Sequence, residues 1–206
     1  MRKVIDTATR TYHWLFAISF LGAYLTAESE KFRLLHVTLG YTMAGLLVFR
    51  VLWGLFGPRH VRLSAMFRKL GGYKTLVAAY RNGTLMQFAN LRQAANVLMT
   101  AVIVILLLLV IPLTLSGYTI FNDLAGHWME EIHESVGEFM LAMVIFHLAM
   151  IGIVSVLRRN NLTQSMLTGY TAGDGPDLIK QDHRLISVVM VVSVMSWMIG
   201  YMFYLN

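Results

Sequence analysis

Five apolar stretches, each close to the length of a membrane span, restrict the fold of this chain more than any other feature of its sequence. They lie at residues 11–27, 34–56, 94–121, 132–157 and 185–204. A helix of about 20 apolar residues crosses the hydrocarbon core of a bilayer with every backbone polar group satisfied internally. Residues 103–112 are almost purely aliphatic and make the third stretch the clearest span. We therefore predict an all-α integral membrane protein.

The predicted architecture is a four-helix transmembrane bundle with a fifth, C-terminal transmembrane helix. The bundle is expected within residues 1–160 and the extra helix at about 185–204, so that residues 1–206 form a single membrane domain. The composition agrees, because 57% of the residues are hydrophobic and only 14% are charged. The first stretch follows a basic start, as a signal peptide would, but His13 and Ser19 interrupt it and no small-residue cleavage site precedes Glu28. We expect it to remain in the mature protein.

The basic residues indicate the orientation in the membrane. Lys and Arg concentrate at the N-terminus, in the second connection (57–92) and in the fourth (158–184), which includes Lys180. Of the other two connections, one carries Glu28, Glu30, Lys31 and Arg33, and the other carries Asp123, Glu130 and Glu131. The positive-inside rule then predicts a cytoplasmic N-terminus. The net charge of +6 is explained by topology, and we expect no nucleic-acid binding.

Two of the connections have local features of their own. The second mixes basic and apolar residues, which is compatible with either an amphipathic helix at the interface or a solvated loop. Residues 169–182 contain Gly173-Asp174-Gly175-Pro176 and predict a polar turn before the last helix.

Four of the seven histidines, His13, His36, His133 and His147, fall in or at the ends of the predicted spans. Ionisable residues in a membrane span are costly and usually functional. His133 and His147 are fourteen residues apart, which puts them about 21 Å apart along a helix and within about 40° of the same face. The predicted topology therefore pairs His36 with His133 near the outer surface and His13 with His147 near the cytoplasm.

Two histidines at each depth favour haem. Two imidazoles occupy both axial positions of a haem and leave no open position for a substrate, which favours electron transfer. Histidine-only sites could also hold zinc or copper, although a zinc site needs three or four ligands. The chain has no cysteine, which excludes iron–sulfur clusters and thiolate ligands. We predict two b haems per chain, with His13 and His147 on the cytoplasmic-side iron and His36 and His133 on the outer-side iron.

Alternatives remain for individual residues. Any single histidine could be a packing residue. His127 competes with His133 for the outer site, although it is expected to precede the helix. His60 and His183 are expected to be surface residues in loops.

Glycines and arginines extend the predicted cofactor site. Gly40 follows His36, and Gly137 follows His133, by one helical turn on the same face, where a flat porphyrin could approach the backbone. The alternative for these glycines is helix packing. Arg10 and Arg50 could neutralise haem propionates, or could simply anchor the helix ends.

The sequence resembles the prokaryotic b561-type cytochromes and the b-type cytochrome subunits of Ni-Fe hydrogenases. The resemblance extends through residue 157 and is carried by four segments: Arg10-Thr11-Tyr12-His13-Trp14, His36-Val37-Thr38-Leu39-Gly40, Arg50-Val51-Leu52-Trp53-Gly54 and His133-Glu134-Ser135-Val136-Gly137. It implies a bacterial inner-membrane protein with two b haems on the four matching histidines. It also implies electron exchange between quinone and a redox partner protein, which could be a hydrogenase, a dehydrogenase or a periplasmic cytochrome c.

Two other functions stay open. The chain could be a stand-alone quinone-linked oxidoreductase acting on a small molecule such as superoxide, or a haem-free channel or transporter using its histidines for protons. We find no nucleophile triad, phosphate-binding loop or flavin fingerprint, and we predict no catalytic residue. A homodimer is compatible with the sequence.

Overall fold

The computed structural model describes residues 1–173, 175–179 and 181–204. Within them the chain forms eight α-helices and one two-stranded antiparallel ribbon. The helices are α1 (Thr7–Thr26), α2 (Arg33–Phe56), α3 (Leu63–Leu70), α4 (Tyr73–Arg81), α5 (Phe88–Phe121), α6 (Trp128–Arg158), α7 (Leu162–Thr168) and α8 (Arg184–Tyr204). A short 3-10 turn, Glu30–Phe32, leads into α2, and the ribbon pairs β1 (Arg2–Lys3) with β2 (Tyr170–Thr171). The predicted all-α fold class is confirmed.

Among the described residues, four helical segments are long and apolar enough to cross a membrane. They are the segment Glu30–Phe56, which comprises the 3-10 turn and α2, and the helices α5, α6 and α8. The predicted C-terminal helix is therefore long and apolar enough to cross a membrane. Helix α1 is not among them because its first turns carry Arg10 and His13. Its 20 residues nevertheless span about 30 Å, and Ile18, Leu21 and Leu25 are more than half exposed on its surface. Membrane crossing by α1 therefore remains a prediction.

The helices extend beyond the boundaries that apolar content predicts, because helical hydrogen bonding continues where the side chains become polar. Helix α5 begins at Phe88 rather than at residue 94. The connection 57–92 is largely helical, and α3 and α4 both pack against α5. The predicted polar turn at 169–182 contains the strand β2, and two residues within it, Asp174 and Lys180, lie outside the described residues.

Two antiparallel hairpins form the bundle. Helix α1 packs along α2, α5 packs along α6, and the hairpins meet mainly through α2 and α5, while α8 packs on α1 and α2. We call the end of the bundle that holds residues 1–6 the N-terminal end and the opposite end the distal end. The centre is filled by one residue from each hairpin helix: Phe20, Met43, Val110 and Met140.

The N-terminus is fastened to the segment that precedes α8. Asp182 contacts Lys3 Nζ at 2.7 Å, accepts a hydrogen bond from Thr7 Oγ1 at 2.7 Å and accepts another from Arg184 Nε at 2.9 Å. Burial alone would raise the pKa of the Asp182 carboxyl, but these hydrogen bonds outweigh it and hold the pKa well below its ordinary value. The carboxylate therefore stays ionised, and its contacts link β1, α1 and α8.

Candidate functional site

The imidazoles of His36 and His133 face each other between α2 and α6 near the distal end. Their ring centroids are 6.0 Å apart and the ring planes are inclined by 68°. Two metal–nitrogen bonds of about 2 Å each, together with the radii of two imidazole rings, add up to roughly the same separation. The two histidines that the sequence predicts for the outer iron are thus spaced as two ligands of one metal ion would be.

Hydrogen bonds assign the proton on each of these rings. His36 Nδ1 lies 2.8 Å from the carbonyl oxygen of Ala23, which can only accept, so His36 Nδ1 carries the proton. The backbone N–H of Ala27 bonds to Tyr24 rather than to this carbonyl at the end of α1, so the carbonyl accepts from His36 as well as from the Thr26 hydroxyl, which lies 3.2 Å away. His36 Nε2 is consequently the nitrogen with a lone pair to offer.

The same logic applies to His133. Its Nδ1 lies 2.9 Å from Ser116 Oγ, and the Ser116 hydroxyl already donates its single proton to the carbonyl of Pro112 at 2.7 Å. With that proton directed to Pro112, Ser116 Oγ accepts from His133 Nδ1, and His133 Nε2 is then unprotonated. Metal-binding histidines typically donate their second ring N–H in this way, because the bond fixes both tautomer and ring orientation.

Gly117 determines how closely the His133 ring can pack against α5. A Cβ atom built on Gly117 would lie 3.0 Å from His133 Cε1 and 3.4 Å from His133 Nδ1. A side chain there would push the imidazole away from Ser116. Neither Ser116 nor Gly117 was identified from the sequence, because a Ser-Gly pair in an apolar helix carries no signal of its own.

The two glycines predicted to face the porphyrin border open space. A Cβ on Gly40 would meet nothing within 4 Å, and one on Gly137 would meet only Leu113 Cδ1, at 3.8 Å. Packing between the described helices therefore does not require glycine at either position. Each glycine therefore has open space beside its backbone, as the predicted approach of a flat group requires.

The second pair lies at the N-terminal end. His13 lies on α1 and His147 lies on α6. His147 Nδ1 is buried without a hydrogen-bond partner among the described residues. Such an atom costs about 1–3 kcal/mol if it stays unpaired, which is consistent with a site that a bound group completes.

The central cluster separates the two pairs. Phe20 follows His13, Met43 follows His36 and Met140 follows His133 by seven residues each, which is about 10 Å along a helix. Met43 and Met140 are each only 1% exposed. A buried apolar layer thus lies between the two histidine pairs.

The arginines predicted to meet haem propionates have other partners. Arg10 donates to three backbone carbonyls at the end of α7, those of Met166, Leu167 and Thr168. Arg50 donates to the carbonyl of Val61 at 3.1 Å and to Met66 Sδ at 3.2 Å. A guanidinium has five N–H donors, so both retain free ones, and a role toward propionates stays a prediction.

The remaining histidines lie away from both pairs. His127 directly precedes α6, its side chain is 97% exposed, and it contacts Glu130 at 3.2 Å. His60 and His183 lie in connections between helices, as expected, and His60 is exposed, but each of them makes a specific contact. His60 Nε2 contacts Asp6 Oδ2 at 3.0 Å, and the Asp6 side chain is fully buried where it also caps α1, while the His183 ring packs edge-on against Trp53.

Three or more His, Asp or Glu residues do not gather anywhere in the described part of the chain in a way that could hold a metal ion. The donor sets available are therefore pairs of imidazoles at two depths. This chemistry fits a prosthetic group that supplies four ligands of its own in a plane.

Comparison with known proteins identifies a family for this chain. A family model described as prokaryotic cytochrome b561 matches residues 4–169. The matched range contains all four paired histidines together with Gly40 and Gly137, whereas α8 lies beyond it. No curated protein and no solved structure matches this chain significantly.

Proposed function

This chain belongs to the prokaryotic cytochrome b561 family, and from that premise we propose that it holds two b haems and passes electrons between the quinone pool and a redox partner protein. Membership implies a multi-pass bacterial membrane protein that binds b-type haem and transfers electrons. The observation that supports the finer proposal most strongly is the His36–His133 pair, with ring centroids 6.0 Å apart and both Nδ1 atoms occupied by internal acceptors.

In this proposal the two histidine pairs would hold the two haems. His36 and His133 would hold the distal haem iron through Nε2, and His13 and His147 would hold the iron at the N-terminal end. A haem held by two histidines would supply one-electron transfer. Ala23 and Ser116 keep the distal imidazoles in the tautomer that a metal ion requires.

Other residues of the chain lie between and beside the two histidine pairs. Phe20, Met43 and Met140 exclude water from the layer between the histidine pairs, and Gly40 and Gly137 leave space beside the distal one. Arg10 and Arg50 lie at the N-terminal end, where their free N–H groups are available to propionates.

The partner site is proposed at the distal end. The basic N-terminus and the basic second connection favour a cytoplasmic location for the N-terminal end, so the distal end faces the periplasm. The short loops there leave the distal pair close to the surface. The partner is a hydrogenase, a dehydrogenase or a cytochrome c.

The ligand assignment is tested by the haem content of purified variants. The pyridine haemochrome assay should give two b haems per chain for the parent, and one after His36→Ala, His133→Ala, His13→Ala or His147→Ala. The double variant His36→Ala/His147→Ala should lose both. His127→Ala is the matched control, since it also removes a histidine from the distal end, and should keep both.

Haem-free parent protein, or loss of haem in the His127 variant, would overturn the assignment. The partner is tested separately by stopped-flow oxidation of the quinol-reduced protein with cytochrome c and with superoxide. Reaction with superoxide but with no protein acceptor would identify a stand-alone oxidoreductase instead.

A further inference from the structure

Three arginines line a hollow where α5 begins and α6 ends, at the N-terminal end of the bundle. The hollow has a volume of ≈ 490 Å³ and is formed by Arg92, Arg158 and Arg159 with Phe88, Val156 and Leu157. We propose that this arginine hollow binds the headgroup of an anionic membrane phospholipid. The site is independent of haem binding.

The positive charge in the arginine hollow has no compensating carboxylate. None of its three guanidinium groups forms an ion pair among residues 1–173, 175–179 and 181–204. The sequence has no Asp or Glu between Glu30 and Asp123. Three uncompensated guanidinium groups at one place fit a phosphate group, which accepts two parallel N–H bonds from each arginine.

Neutral contacts already hold two of these side chains in place. The Arg92 guanidinium lies over the Phe88 ring, 4.3 Å from its centroid, and Arg158 donates to Asn96 Oδ1. Neither contact neutralises the charge. The two side chains are therefore ordered in advance, which lowers the entropic cost of binding an anion.

A helix-capping role explains only part of the cluster. Cations at a helix C-terminus are stabilised by the helix dipole, and this accounts for Arg158 and Arg159 at the end of α6. Arg92 stands near the beginning of α5, where the dipole disfavours a positive charge. An anion between the two helix ends would stabilise all three.

The surroundings favour a lipid over a free anion. Val156 is 78% exposed and Phe88 is 52% exposed, and both belong to helices that are long and apolar enough to cross a membrane. A phosphate bound to the arginines would therefore have an apolar wall beside it for acyl chains. Basic pockets between membrane helices on the cytoplasmic side are suited to such headgroups.

The test measures cardiolipin bound to the full-length holoprotein by native mass spectrometry, with phosphatidylcholine as the neutral probe. The double variant Arg158→Gln/Arg159→Gln should bind cardiolipin about thirtyfold more weakly, and Arg92→Gln about fivefold more weakly. The conservative variant Arg158→Lys/Arg159→Lys should retain most of the affinity. Circular dichroism and the melting temperature establish that each variant is folded.

The matched control is Arg68→Gln/Lys69→Gln, which removes the same charge from the exposed surface of α3 and should change cardiolipin binding less than twofold. An equal loss of cardiolipin binding in this control would mean that general surface charge, and not the arginine hollow, accounts for the binding. Unchanged binding in the Arg158/Arg159 double variant would exclude the arginine hollow. Displacement of cardiolipin by inorganic phosphate at equal phosphate concentration would make the hollow a free-anion site and overturn the lipid assignment.

Discussion

If the chain holds two b haems as proposed, replacing Ser116 with alanine should raise the reduction potential of the distal haem and leave that of the other unchanged. The Ser116 hydroxyl accepts the Nδ1–H of His133 at 2.9 Å. That bond makes the imidazole a stronger electron donor to iron and so stabilises the oxidised state. A hydrogen bond of this kind contributes about 1 kcal/mol, and a one-electron couple shifts 59 mV per factor of ten. Its loss should therefore raise the potential by up to about 40 mV.

The assay is an optical redox titration of the two haem signals in the purified Ser116→Ala protein. Thr114→Ala is the matched control, because the Thr114 hydroxyl on the same helix donates only to backbone carbonyls of α5. The distal haem alone should shift in Ser116→Ala, and neither haem should shift in the control. Equal shifts of both haems, a downward shift, or no shift at all would refute the role assigned to the Ser116–His133 bond.

Three further predictions concern packing and charge. Gly117→Ala should lower the occupancy of the distal haem, because the added Cβ would lie 3.0 Å from the His133 imidazole. Gly200→Ala should leave the occupancy unchanged, because a Cβ there meets open space. The measurement is the amount of haem per chain. Met140→Ala should destabilise the bundle by about 2–5 kcal/mol, because Met140 is only 1% exposed in the central cluster. Val156→Ala should change the stability little, because Val156 is 78% exposed. The stability of both variants is measured by the loss of secondary structure on heating. The folded-state pKa of Asp182 is lowered, so its stabilisation is fully present above the unfolded pKa of about 4 and is lost as the pH falls through the folded value. Hydrogen exchange of residues 2–7, corrected for intrinsic rates, should therefore be constant between about pH 5 and 8, and Asp182→Asn should accelerate it at neutral pH.

Local sequence signals predict the membrane helices and place the histidines. Apolar content gives α2, α5, α6 and α8 because lipid imposes a minimum length on every span. The fourteen-residue spacing of His133 and His147 gives two depths because the rise of a helix is fixed. The preference for His133 over His127 as the distal candidate agrees with the start of α6 at Trp128 and with the exposure of His127.

Such local signals do not predict contacts between residues that are far apart in the sequence. His60 and Asp6 are 54 residues apart and meet because α1 and the connection after α2 share the N-terminal end. Asp182 bonds Thr7 across 175 residues. Hydropathy treats both as polar residues in loops, since it contains no information about which loops pack together.

The sequence by itself determines the class of this protein and predicts four histidines as candidate ligands, because membrane span length and helical periodicity are properties of consecutive residues. Only the tertiary structure decides which atoms complete the distal site. Ala23 offers its carbonyl because α1 ends beside His36, and Ser116 and Gly117 act on His133 because the rotation of α5 against α6 turns them toward it. Those relations depend on how the helices are rotated and shifted against one another, which follows from packing over the whole bundle rather than from any single segment.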